Sequence, residues 1–221
     1  MRIAVALAGV LACVAADVWP IPAVLTTGND TTAVLNVPAF AGNISSPILD
    51  DALARYSAII AKEAFTPPAD YKMKAPDTKG ELSTLEVKVG SSDDSLSLET
   101  DESYTLDVPV SGKATLTART VFGALRGLET FSQLVVSYNG AHVIRGTPVH
   151  IEDRPALAHR GLMLDTARNY YALADIKRTL DAMSYNKMNV FHWHIVDAQS
   201  WPVESKAYPE LQSNGAYASS M

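Results

Sequence analysis

Five side chains near the end of the sequence have the types and spacing to do chemistry together: Asp165, Arg168, His192, His194 and Asp197. Asp165 and Asp197 each close a short apolar run, as happens when a buried strand delivers a polar group to a cleft at its end. Arg168 is a planar fork of donors, suited either to the adjacent hydroxyls of a ligand or to a carboxylate such as Asp165. His192 and His194 lie two apart and therefore project from one face of a strand. Such a pair either begins a metal site, which needs three or more protein ligands, or supplies buried hydrogen bonds that hold a carboxylate in place. Trp193 and Trp201 offer flat faces on which a sugar ring can stack, and a core role for Trp193 fits its spacing equally well.

The elements that must position these groups follow from periodicity. Gly161 to Leu164 is a continuous apolar strand that stops at Asp165, and Leu173, Ile176, Leu180 and Met183 recur at helical spacing. Met188 to Val196 is the second apolar strand. Strand, helix and strand at these intervals make a parallel βαβ unit, the repeating piece of a (β/α)8 barrel or of a doubly wound sheet. In a parallel barrel, polar residues at the C-terminal strand ends share one rim, which predicts that Asp165, Arg168 and Asp197 converge. No Gly-x-Gly-x-x-Gly turn follows the first strand, so dinucleotide binding is disfavoured.

The first two thirds of the chain read differently. Residues 1–16 have one basic residue, a short apolar run and small residues before Asp17, the layout of a cleavable secretory leader, and the single cysteine, Cys13, lies inside it. Asn29-Asp30-Thr31 and Asn43-Ile44-Ser45 are glycan acceptor sequons, which in a secreted chain imply exposed loops. Ser46-Pro47 opens a helix carrying Leu49, Leu53, Tyr56 and Ile60, ended by Pro67-Pro68. From Glu81 the period changes to two: Leu85, Val87 and Val89, then Tyr104, Leu106, Val108 and Val110, predict half-buried antiparallel strands. Asp101-Glu102 between them reads as a charged turn. Thr120 to Ser137 is helical again, ended by a turn at Tyr138-Asn139-Gly140, and Val143–Ile144 with Val149–Ile151 suggest a hairpin. The stiff polar junction Asp153-Arg154-Pro155 marks a domain boundary, giving a leader (1–16), a first domain (17–154) and a second (155–221). A net charge of -6 without a Lys/Arg cluster leaves no footprint for nucleic acid.

Three stretches resemble the start of the catalytic barrel of family 20 β-N-acetylhexosaminidases: Leu164-Asp165-Thr166-Ala167-Arg168-Asn169-Tyr170, then Thr179 to His194, then Asp197-Ala198-Gln199-Ser200-Trp201-Pro202 with Tyr208-Pro209-Glu210-Leu211. Upstream, Trp19-Pro20-Ile21-Pro22, the run Gly123 to Leu134 and Asp153-Arg154-Pro155 resemble that family's N-terminal domain. The resemblance implies an α+β N-terminal domain followed by the first βαβ part of a (β/α)8 TIM barrel. It implies a secreted, lysosome-type or vacuole-type exoglycosidase that removes terminal N-acetylhexosamines from chitin oligomers and glycans, without a cofactor or a membrane span. A homo-oligomer is compatible with it. By the same resemblance Arg168 binds hydroxyls of the sugar and Asp197 belongs to its supporting network, to which the reading of the residues adds Asp165, His192 and His194. Many relatives carry two successive acids where this chain has Asp197 and then Ala198, the pattern of the fungal-type variant.

In that family the substrate's acetamido oxygen attacks the anomeric carbon, an Asp orients the acetamido group, and the next Glu protonates the leaving oxygen. The His-x-Gly-Gly-Asp-Glu type motif that carries this pair does not occur in the 221 residues, so the resemblance implies no catalytic acid here and no turnover by these residues alone. Two other functions fit the residues: a metal-dependent barrel hydrolase using His192 and His194, and a non-catalytic secreted protein that binds a partner through its first domain.

Overall fold

A computed structural model of the protein describes residues 18–62, 76–138 and 141–216. It divides into two compact units, Met1–Pro155 and Ala156–Met221. The expected leader with Cys13, the Pro67-Pro68 helix stop and the Asn139-Gly140 turn lie outside the described residues.

Among the described residues, the first unit has a six-stranded sheet and two helices. Strand β1 (Val24–Gly42) leads into helix α1 (Pro47–Lys62) and strand β2 (Gly80–Val89). Strands β3 (Tyr104–Val108) and β4 (Gly112–Ala118) precede helix α2 (Val121–Leu134), after which come β5 (Val135–Tyr138) and β6 (Ala141–Asp153). The strand order is β1-β2-β4-β3-β6-β5. Strand β1 pairs twice, its first half antiparallel to β6 and its second half parallel to β2.

Alternation decides which faces are buried. Leu82, Leu85, Val87 and Val89 of β2, Leu106 of β3 and Leu116 of β4 enter the core, where Leu49, Tyr56 and Ile60 of α1 and Leu128 and Phe131 of α2 also lie. Helix α2 begins at Thr120, whose Oγ1 accepts from the Gly123 N–H at 3.1 Å and donates to the Asp101 carbonyl at 2.6 Å. Two glycines one turn apart then let it approach the sheet. A Cβ on Gly123 would stand 2.4 Å from the Ser103 carbonyl oxygen, and one on Gly127 would stand 2.2 Å from the Leu116 Cδ1. Because the obstacle at Gly123 is backbone, Gly123→Ala is expected to destabilise the chain by about 1–3 kcal/mol, read as a lower urea midpoint at unchanged slope.

Polar groups in this unit are used to tie elements together. The Tyr56 hydroxyl donates to Glu129 Oε2 at 3.0 Å, and Gln133 Nε2 donates to the other oxygen at 2.8 Å. Gln133 Oε1 in turn accepts the Trp19 N–H at 2.7 Å, which fastens the proline-rich N-terminal segment onto α2. Burial, more than the nearby Glu129 charge, pushes the Tyr56 hydroxyl well above its ordinary pKa, so it stays a donor.

Several expectations are corrected by these pairings. Strand β2 is parallel to both of its neighbours, the unpredicted β1 and β4, whereas β3 is antiparallel to β4 and β6 as expected. Helix α2 ends at Leu134 rather than Ser137, and Val135 begins a strand that pairs with Ile144. The segment 141–153 is one strand, not a hairpin: Gly146, at φ +72°, lies where the register against Thr27–Thr31 shifts, so the chain bulges without turning back. Glu102 is buried rather than part of a solvated turn, and it pairs with Arg126 of α2 at 2.6 Å. Of the two sequons, Asn29 lies exposed within β1 rather than in a loop. Asn43 follows β1, but its amide is engaged, with Oδ1 accepting the Val89 N–H at 2.7 Å and Nδ2 donating to the Val89 carbonyl at 3.1 Å.

The second unit holds strand β7 (Gly161–Asp165), helix α3 (Leu173–Tyr185), strand β8 (Val190–His194) and helix α4 (Pro209–Gly215). Strand β8 is shorter than the predicted run from Met188 to Val196. Strands β7 and β8 are parallel neighbours, with Gly161 opposite Val190 and Asp165 opposite His194. Of the α3 stripe, Ile176 and Met183 are buried, whereas Leu173 and Leu180 are exposed. Leu162, Met163 and Trp193 of the two strands are exposed as well, so this sheet has apolar surface without a partner among the described residues.

Candidate functional site

The site is built on the parallel register of β7 and β8. With Asp165 opposite His194, both strands end at one level, and the segments that follow them lie side by side. The Thr166 N–H donates to the His194 carbonyl at 3.0 Å, extending the ladder one step beyond the strand. The chain after β8 then makes a tight turn in which Asp197 and Ser200 exchange two backbone hydrogen bonds, at 2.8 and 3.2 Å.

Arg168 is the centre of this arrangement. Its Nε donates to Asp165 Oδ2 at 2.5 Å, and its Nη2 pairs with the same oxygen. Its Nη1 reaches Asp197 Oδ2 at 2.9 Å. One guanidinium thus spans the two post-strand segments, and these contacts leave N–H groups of the fork free for a ligand. The side chain is 47% exposed, so a ligand can reach it.

The carboxylates are themselves oriented. Asp165 Oδ1 accepts the Ala167 N–H at 3.0 Å and the Arg168 N–H at 3.3 Å. Asp197 Oδ1 accepts the Ala198 N–H at 2.6 Å, and its Oδ2 faces His194 Nε2 at 3.2 Å. Hydrogen bonding from Arg168 holds the Asp165 carboxyl below the usual carboxylate range. Asp197 is also held down, first by His194, then by the Ala198 N–H, with a smaller contribution from Arg168. Asp165 in turn raises the pKa of Arg168. The group is a fixed charge cluster with one cation between two anions, built to orient donors rather than to transfer a proton.

The predicted convergence of Asp165, Arg168 and Asp197 is therefore present, and His194 joins through Asp197. His192 shares a face with His194 but is exposed and pairs in register with Met163, away from the carboxylates. Among the described residues no group of three His, Cys, Asp or Glu side chains is placed to hold a metal ion. Trp193 lies on the opposite face of β8, tilted against Phe191 at 6.2 Å, and its indole N–H donates to Thr166 Oγ1 at 2.7 Å. Trp201 donates its backbone N–H to the Gly215 carbonyl at 2.7 Å, while its buried indole N–H has no partner among the described residues.

Two contributors had no assigned part in the sequence reading. Ser200, only 3% exposed, donates its hydroxyl to the Ala167 carbonyl, and Thr166 anchors the Trp193 ring. Their signal was present in the runs Asp165 to Arg168 and Asp197 to Trp201, but short polar residues beside charged ones give no hint of which carbonyl they will meet. At the other end of the strands Arg160 donates through Nε to the Lys187 carbonyl at 2.9 Å, and Asn189 Oδ1 accepts the Arg160 N–H at 2.9 Å, fixing the register from below.

Residues 157–221 match the glycosyl hydrolase family 20 catalytic domain, and residues 18–134 match the family model described as beta-acetyl hexosaminidase like. The chain is 38% identical over 219 residues to rat (Rattus norvegicus) beta-hexosaminidase subunit alpha, covering 96% of this chain and 41% of that one. It is 40% identical over 224 residues to beta-hexosaminidase 1 of Arabidopsis thaliana, covering 90% of this chain and 39% of that one. The chain thus spans about two fifths of the length of these curated relatives. Among solved structures, the Flavobacterium johnsoniae chitobiase superposes with a TM-score of 0.70 at 29% identity, over 90% of this chain and 30% of that one. The fold is also shared with an exo beta-N-acetylglucosaminidase of Vibrio harveyi solved with N-acetylglucosamine, at a TM-score of 0.66 and 21% identity, over 89% of this chain and 28% of that one.

Proposed function

The chain belongs to the β-N-acetylhexosaminidases of glycosyl hydrolase family 20, and from that premise we propose that its second unit forms the sugar-gripping beginning of a barrel that hydrolyses terminal, non-reducing N-acetylhexosamine residues. The observation that carries this reading is Arg168, suspended between Asp165 and Asp197 at the C-terminal ends of two parallel strands. A guanidinium fixed in this way presents its remaining donors to vicinal hydroxyls of a sugar ring without spending rotamer freedom on binding. The two carboxylates are held ionised by their contacts, which suits them to orienting Arg168.

The chemistry itself is assigned to the substrate and to an Asp-Glu pair. The acetamido oxygen attacks the anomeric carbon, the Asp orients that group, and the Glu gives its proton to the departing oxygen. No His-x-Gly-Gly-Asp-Glu type motif carrying that pair stands in these 221 residues. The chain by itself is therefore expected to hydrolyse a chromogenic N-acetylglucosaminide no faster than buffer. Fused to the remaining barrel strands of a full-length relative, it is expected to turn the substrate over with retention of configuration. A folded fusion that leaves the substrate intact sinks the assignment.

The secretory leader over residues 1–16 and glycans at Asn29 and Asn43 belong to the same proposal, as does residence outside the cell or in a lysosome-type or vacuole-type compartment. Both sequon asparagines are exposed, and the Asn43 amide is engaged with the Val89 backbone.

A further inference from the structure

Among the described residues, two uncharged side-chain contacts link the stretches that hold Arg168, Trp193 to Thr166 at the strand ends and Ser200 to Ala167 beyond them. Ser200 closes the turn begun by Asp197, and its buried hydroxyl donates to the carbonyl of Ala167, the residue just before Arg168. We propose that Ser200 is a positioning residue of this site, setting the segment that carries Arg168 against the segment that carries Asp197. The inference rests on the reading of Arg168 as the sugar-gripping group.

The reasoning turns on which contacts are local. Arg168 meets Asp165 across three residues of one segment, and the N–H groups of Ala167 and Arg168 fold back onto the same carboxylate. That half of the cluster needs nothing from β8. The Arg168–Asp197 contact at 2.9 Å crosses between segments and lasts only while they keep their spacing. Apart from the Trp193–Thr166 contact at the strand ends, two links that end on the backbone fix that spacing: the ladder bond from Thr166 to His194, and Ser200 to Ala167. The first lies at the strand end, whereas the second lies beside Arg168 and at the far side of the Asp197 turn. Without the hydroxyl, the Ala167 carbonyl is left buried and unpaired, and the segment gains by swinging out to water. Arg168 would then stay with Asp165 and part from Asp197, turning its free donors away from the direction they now share.

The test labels the 221-residue chain at low micromolar concentration with an arginine-specific dicarbonyl reagent and follows each arginine by mass spectrometry, beside backbone hydrogen exchange. Arg178, exposed on α3 and paired only within its own helix turn, serves as the internal reference. In Ser200→Ala, Arg168 is expected to react about fivefold faster, the factor that one ordinary net hydrogen bond supplies. Arg178 and the amides of β7 and β8 should be unchanged, and Ser200→Thr, which keeps the hydroxyl, should restore the slow rate. The proposal is overturned if Arg168 in Ser200→Ala stays within about twofold of the unsubstituted chain. It is also overturned if the β7 and β8 amides open along with it, the signature of a merely structural hydroxyl. An unsubstituted chain whose Arg168 reacts as fast as Arg178 overturns it too. None of these readouts involves sugar, so a failed glycosidase assignment leaves them standing and their failure leaves that assignment standing.

Discussion

Arg168→Ala, in the fusion that completes the barrel, is expected to lower kcat/KM for the N-acetylglucosaminide by about two orders of magnitude or more, because hydrogen bonds to a charged group contribute about 1.5–3 kcal/mol each. The loss has a second component that is visible without substrate. Asp165 and Asp197 both owe part of their lowered pKa to the guanidinium, and without it two anions face each other across the gap between segments. Both carboxyls should then titrate at higher pH, with Asp165 moving further, since Arg168 is its leading partner while Asp197 keeps His194 and the Ala198 N–H. The sign for stability follows from the folded values lying below the unfolded ones. The cluster contributes fully above the ordinary carboxylate range near pH 4 and is lost as pH falls through the folded values, so mild acid leaves it intact. Carboxyl NMR titration of Arg168→Ala beside the unsubstituted chain checks this, and an unmoved Asp165 would show that the clamp does not exist in solution.

Arg126→Met is expected to destabilise the first unit by about 3–5 kcal/mol, because it removes the cation that Arg126 brings to the buried Glu102 carboxylate beneath α2. Arg126 Nε and Nη2 both reach Glu102 Oε1, at 2.8 and 2.6 Å, with side chains only 14% and 8% exposed. Changing both residues together, Glu102→Leu with Arg126→Met, should cost far less than Arg126→Met alone, since neither charge then remains buried. A double-mutant cycle in urea measures the difference. Additive losses would mean that the pair is solvated and contributes nothing through its burial.

The same pair shows where reading by pattern stops. Asp101-Glu102 lies between strands in a Ser/Asp-rich stretch and has every local mark of a charged turn. What buries Glu102 is a helix twenty residues further on, and no window along the chain contains both partners. Strand β1 escaped for a related reason. Its Thr, Asn and Asp residues lack a clean two-residue alternation, and its stability comes from β6 on one edge and β2 on the other, both remote in sequence. The supposed hairpin near Gly146 failed in the opposite direction, since a turn-forming residue was absorbed as a bulge because β1 continued to pair on either side of it.

The sequence by itself determined the parallel βαβ unit of the second half, the residues that end its strands, and the family to which they belong, because side-chain periodicity and the ends of apolar runs are properties of neighbours along the chain. The tertiary structure alone decided that one guanidinium is shared by Asp165 and Asp197, that His194 and not His192 joins them, and that Ser200 ties the two segments together. Those outcomes depend on the register of β7 against β8, set by contacts between residues about thirty positions apart, and a hydrogen bond is formed only by the atoms that this register brings within reach.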